Sequence, residues 1–113
     1  MCSKVALNEI TEKICRAARD VLGDKLEKVF LFGSYARGDY DDESDIDIMV
    51  LADIRPEDAD KTRDKIHNHT GDLDLEYDVV ICLHMTCSAI FHKYINILPY
   101  YMNVQREGVA IYA

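Results

Sequence analysis

The chain has 113 residues, 49% of them apolar, and its 21 acidic against 13 basic side chains give a formal net charge of −8. That length fits one domain with one modest core, and the composition excludes an intrinsically disordered chain. No apolar run approaches the roughly 20 residues of a membrane span, and Met1-Cys2-Ser3-Lys4 leads into no signal-peptide block, so a soluble, cytoplasmic protein is expected.

Leu7, Ile10, Ile14, Ala17, Ala18 and Val21 recur at spacings of three and four, which is one face of a helix. Ser3 can cap its start and Gly23 lies just past its end. Lys25 to Phe32 closes on Val29-Phe30-Leu31-Phe32, an apolar run that reads as a strand buried on both faces and ending at Gly33. Residues 33–44 are polar and turn-like. Asp45 to Leu51 alternates into a second strand, with carboxylates on one face and Ile46 and Ile48 on the other. Pro56 suits the first turn of a helix running to about His69, with Glu57, Asp58 and Asp60 near its positive end. Leu73 to Leu83 reads as a third strand. Thr86 can cap a helix containing Ala89, Ile90, Tyr94 and Ile95; Pro99 interrupts it. Residues 100–107 look helical, Gly108 ends them, and Val109 to Tyr112 forms a short edge strand. The order α-β-β-α-β-α-α-β predicts a single two-layer α/β domain with a mixed sheet and helices packed against it.

The charge is uneven. Residues 39–60 carry ten acids and one base, Arg55, while the rest of the chain has a net charge of +1. Such a patch is a solvated surface, a face for a basic partner or a cation site. An acidic protein repels the phosphate backbone, so direct nucleic-acid binding is not expected. Cys2, Cys15, Cys82 and Cys87 lack CxxC or finger spacing, and zinc or a disulfide framework is not expected.

The chemistry concentrates in Gly33-Ser34-Tyr35-Ala36-Arg37-Gly38 and Ser44-Asp45-Ile46-Asp47. Gly33 at a strand end permits unusual backbone angles and close approach by a ligand. If a helical turn starts at Ser34, its exposed N–H groups suit an anion. Arg37 adds positive charge, either toward phosphate or in an ion pair with Asp39 or Asp41. The pattern is no P-loop, because Asp39-Tyr40 stands where Lys-Ser/Thr is required. It is no calcium loop from Asp39 either, because Ser44 and Val50 occupy the Gly and Glu positions. Asp45 and Asp47 project from one strand face with Cα atoms about 6.6 Å apart. Hard oxygen ligands at that separation suit Mg²⁺, which takes few carboxylates and lets substrate phosphates complete its shell. A third acid can come from Asp74, Glu76 or Asp78, and Asp78, just before Val79-Val80-Ile81-Cys82, is the strongest candidate.

Gly33-Ser34 followed by Asp45-Ile46-Asp47 resembles the signature of the DNA polymerase β-like nucleotidyltransferase superfamily. The run GSYARGDYDDESDIDIMV resembles its minimal nucleotidyltransferase (MNT) branch, which serves as antitoxin in HEPN/MNT toxin–antitoxin systems. The resemblance implies the nucleotidyltransferase fold, with Gly33 and Ser34 holding the triphosphate of ATP. It implies that Asp45 and Asp47 bridge two Mg²⁺ ions and that Asp78 completes the catalytic triad. Two metals would then clamp the attacking and leaving oxygens of an in-line displacement. The implied activity is transfer of AMP from ATP to a tyrosine of a HEPN ribonuclease toxin, whose basic surface the acidic stretch can dock. The alternatives are an antitoxin that neutralises by complex formation alone, and an enzyme acting on a small hydroxyl compound such as an aminoglycoside. With little sequence beyond the catalytic core, the acceptor site is expected to be completed by another chain, in a hetero- or homo-oligomer.

Overall fold

The computed structural model describes residues 4–38 and 45–112. Helix α1 (Lys4–Leu22) buries Ile10, Ile14, Ala17, Ala18 and Leu22 along one stripe, as its spacing predicts; the proposed cap Ser3 lies outside the described residues. A 3-10 turn at Gly23–Lys25 leads into β1 (Leu26–Phe32). One helical turn, α2 (Ser34–Arg37), follows, and β2 (Ile46–Ala52) begins after residues that lie outside the description. Pro56–Asp58 forms a 3-10 turn before α3 (Ala59–Thr70). Here Arg55 pairs with Glu57 at 3.5 Å and Asp58 at 3.4 Å, so part of the acidic stretch is neutralised locally. Then come α4 (Leu73–Tyr77), β3 (Ile81–Cys87), α5 (Ser88–Tyr94), α6 (Pro99–Glu107) and β4 (Val109–Tyr112).

The four strands form one sheet in the order β3-β2-β1-β4. Strand β1 runs antiparallel to β2 and β4, and β2 runs parallel to β3, so the sheet is mixed. A parallel pair requires a crossover, and α3 with α4 supplies it. Alternate residues of β1 and β2 feed opposite faces. Val29, Leu31, Ile46, Ile48 and Val50 join the α1 residues and Ile66 of α3 in the main core. Complete burial of Ile46, Ile48 and Val50 contributes roughly 1.5–3 kcal/mol per side chain. The other face carries Phe30, Met49 and Leu51, covered by Phe91 of α5 and Val104 of α6 in a smaller cluster.

The expected strand from Leu73 to Leu83 needs correction. Leu73–Tyr77 is helical, and the strand runs from Ile81 to Cys87. Over five residues, Leu73 and Tyr77 fit a helical i,i+4 pair as well as a strand face. Tertiary contacts decide between them: Leu73 is buried in the main core with Tyr77 packed at its edge. The Tyr77 hydroxyl donates to Glu9 of α1 at 2.8 Å and accepts from Lys13 at 3.3 Å. Thr86, expected to cap a helix, is instead a buried residue near the end of β3.

A polar cluster fastens α5 to the sheet. Ser88 donates to Glu27 of β1, and the His92 Nε2 lies 2.9 Å from the second Glu27 oxygen. The hydrogen bonds from Ser88, then His92, hold the Glu27 carboxyl below its ordinary value near 4.5. A depressed carboxyl stabilises the fold above its unfolded pKa, and that contribution disappears as pH falls through the folded value. Glu27→Gln is therefore expected to lower Tm at pH 7 by roughly 1–4 °C, the scale of an exposed charged pair. Thermal melts of both proteins should converge as pH is taken below 4.5; a gap independent of pH would assign the carboxylate charge no part in holding α5.

Candidate active site

The site face of the sheet is set by strand parity. Asp47 lies opposite Phe32 of β1 and beside Cys82 of β3, while Met49 lies beside His84. Asp45, Asp47, Phe32, Cys82 and His84 thus share one face at the end of the sheet where β1 turns into α2. Gly33 makes that turn with φ +74°, a left-handed angle that glycine adopts without the steric cost of a side chain. The Ala36 N–H donates to Gly33 O at 3.1 Å and closes the turn. A Cβ on Gly33 would lie 2.5 Å from Asp47 Oδ2, so the missing side chain leaves room for the carboxylate against the turn. The expected nucleotide-binding residues Ser34 and Arg37 lie in α2 by backbone. Their side chains, and the acidic residues 39–43, lie outside the description.

Asp45 is exposed and takes a long contact, 3.7 Å, from the Cys82 thiol. Burial first, and then the negative charge of Asp45 and Asp47, push that thiol up, with Asp74 adding to the same field. Asp47 is less open, with 28% of its side chain accessible, and its Oδ1 lies 3.7 Å from His84 Nε2. The His84 ring leans on Phe32 with centroids 5.3 Å apart.

The structure treats the three candidate third acids differently. Asp78 is exposed at the C-terminal end of α4 in left-handed backbone, φ 53° and ψ 54°, three residues ahead of β3. Glu76 is turned to Lys13 of α1 at 3.3 Å. Asp74 Oδ2 accepts from the Ile81 N–H at 3.1 Å, at the start of β3, and is the one that reaches the site's strand. Among the described residues, no group of three His, Cys, Asp or Glu side chains is arranged to hold a metal ion. In chemistry the donors fit Mg²⁺: Asp45 and Asp47 offer hard carboxylate oxygens on one face, and that ion takes few protein carboxylates beside a nucleotide. His84 is a site residue that sequence reasoning did not single out. Its only signal is a polar side chain inside an otherwise apolar strand, and its place depends on the β2–β3 register. The Cys15 thiol lies elsewhere, on α1 against the Ile111 carbonyl of β4, and burial pushes it up to about 11.

Fold and site together are a mixed sheet with a glycine turn at the end of β1 and two carboxylates, Asp45 and Asp47, at the start of β2. The chain belongs to the nucleotidyltransferase domain family, whose model matches residues 9–102, and it is a nucleotidyl-transferring enzyme by that membership. It is 36% identical over 103 residues to MJ0141 of Methanocaldococcus jannaschii, a candidate protein adenylyltransferase, covering 91% of this chain and 96% of that protein. A second candidate protein adenylyltransferase of that organism, MJ0604, is 41% identical over 88 residues, covering 78% of this chain and 80% of its own. In fold, the chain is similar to a toxin–antitoxin crystal structure with AMP-PNP, at a TM-score of 0.56 and 24% identity over 91% of this chain and 73% of that one. It is similar at a TM-score of 0.55 and 22% identity, with the same coverage, to a mutant of the MntA–HpeT toxin–antitoxin pair. No described helix is long and apolar enough to cross a membrane.

Proposed function

We propose that the chain is a Mg²⁺-dependent adenylyltransferase that moves AMP from ATP to a tyrosine of a cognate HEPN ribonuclease toxin and silences it. The observation that carries this reading is the apposition of the Asp47 carboxylate to the Gly33 turn: a Cβ on Gly33 would lie 2.5 Å from Asp47 Oδ2, so a carboxylate able to hold a cation sits directly against the glycine turn. The names of the two relatives support a protein as acceptor, and the toxin–antitoxin neighbours support a toxin as that protein. In this reading Gly33 and Ser34 hold the triphosphate, Arg37 offsets its charge, and Asp45 and Asp47 hold the metal. Asp78 is the third acid by family resemblance; Asp74 is the one whose carboxylate accepts a hydrogen bond from the first residue of β3. Mg²⁺, when bound, supplies charge neutralisation on the phosphates. The tyrosine hydroxyl gives its proton to a site carboxylate or to solvent, its oxygen forms a bond to the α-phosphorus, the bond to the bridging oxygen breaks, and pyrophosphate leaves with its electron pair.

The test is intact-mass spectrometry of the neighbouring gene's product after incubation with this protein. A gain of AMP-sized mass on a tyrosine, dependent on ATP and Mg²⁺, is expected; an unmodified toxin under those conditions overturns the reading. The alternative is neutralisation of the toxin by complex formation alone. That alternative gains if variants lacking Asp45 and Asp47 still neutralise the toxin fully and leave no adduct.

A further inference from the structure

We infer that His84 is a positioning residue for Asp47: it fixes the carboxylate in the orientation that presents it to a divalent cation over the Gly33 turn. The inference rests on the proposed role of Asp47 as a metal ligand. Asp47 is confined on two sides. Its Oδ2 occupies the space that a Cβ on Gly33 would fill. Its Oδ1 lies 3.7 Å from His84 Nε2, within ion-pair range and just beyond a direct hydrogen bond.

The imidazole is itself held. Its ring packs on Phe32 at 5.3 Å with the planes tilted by 56°, and Phe32 is the cross-strand partner of Asp47. The parallel register sets His84 beside Met49, a fully buried residue, so the backbone carrying His84 is anchored in the smaller core. Phe32, His84 and Asp47 thus come from three adjacent strands, and none depends on a loop for its placement. Outer groups that orient a ligating carboxylate typically change metal affinity by about 10–100-fold when removed. His84 has the position for that role on the side of Asp47 away from its contact with Gly33.

The probe is Mn²⁺, titrated as MnCl₂ into the full chain and followed by electron paramagnetic resonance, with and without a non-hydrolysable ATP analogue. His84→Phe keeps a ring to pack on Phe32 and removes the nitrogen; it is expected to weaken Mn²⁺ binding about tenfold. His84→Gln, whose amide nitrogen can reach the place of Nε2, is expected to recover most of that loss. Asp47→Asn is expected to abolish the tight Mn²⁺ signal. If Asp47→Asn removes Mn²⁺ binding but His84→Phe leaves it within twofold, the positioning role is wrong and the metal-ligand reading stands. If Asp47→Asn leaves Mn²⁺ binding unchanged, both fall. Equal weakening by His84→Phe and His84→Gln overturns the positioning role as well, because only a packing function would ignore the restored nitrogen. Circular dichroism melts accompany each variant, so that a loss of binding is compared among folded proteins only.

Discussion

In the proposed reaction, replacement of both Asp45 and Asp47 by Asn is expected to reduce AMP transfer to the toxin by about 10³-fold or more, while leaving the protein folded. The expected size follows from the role: a cation holding the transferred phosphoryl group is worth several kcal/mol of transition-state stabilisation, and each 1.36 kcal/mol is tenfold in rate. The stability expectation has the opposite sign. Asp45 and Asp47 share one strand face, and after burial their negative charges add to the upward push on the neighbouring Cys82 thiol. Two like charges held close cost folding energy when no cation is bound, and isosteric amides remove that repulsion. Tm of the double variant in metal-free buffer should therefore equal or exceed that of the parent. Added Mg²⁺ should raise the parent's Tm and leave the variant's unchanged, because only a ligand that binds the native state stabilises it. Quantitative mass spectrometry of the toxin and paired melts with and without Mg²⁺ measure both. A variant that transfers AMP within tenfold of the parent rate would remove both acids from the catalytic site.

Much of the fold that places the candidate site is legible in the sequence, for reasons that particular residues make plain. The three-and-four spacing from Leu7 to Val21 can be satisfied by one local geometry, and α1 adopts it. The alternation Asp45-Ile46-Asp47-Ile48 requires a strand with Ile46 and Ile48 in the core, and so fixes that both acids share the other face. Gly33 after an apolar run marks a turn, and its φ of +74° shows why glycine is needed. Leu73 to Tyr77 reads as strand in the sequence because a five-residue window holds barely more than one helical turn, where periods of two and of three to four overlap. What chose the helix was long-range: Glu9 and Lys13, more than sixty positions away, receive Tyr77. His84 is hidden from the sequence for a related reason. Which residue of β3 sits beside Asp47 depends on the register of a parallel pair joined by a long crossover, and no local pattern encodes that register. The same holds for Glu27, Ser88 and His92, which meet only because α5 folds back over β1.

Gly33→Ala should damage stability and activity together, and the two losses have separate causes. Alanine at φ +74° must adopt left-handed backbone, at a cost of about 1–2 kcal/mol, which lowers Tm by roughly 5–10 °C in a domain of this size. The second cause is steric. The new Cβ would meet Asp47 Oδ2 at 2.5 Å, so the carboxylate must leave its place over the turn or the turn must open. A displacement of about 1 Å in a reacting constellation can cost 10²-fold, and a loss of at least that size is expected in AMP transfer, together with weaker Mn²⁺ binding. Gly23→Ala separates the causes. Gly23 also has a left-handed angle, φ +57°, but a Cβ there meets nothing within 4 Å, and it lies in the turn between α1 and β1, away from the acids. Its substitution should cost comparable stability and leave transfer nearly intact. If both alanine variants lose the same Tm and the same activity, backbone strain alone explains Gly33 and the close fit to Asp47 has no catalytic meaning. If Gly33→Ala alone loses activity at matched stability, the absent side chain at this turn is what lets a carboxylate and a triphosphate meet.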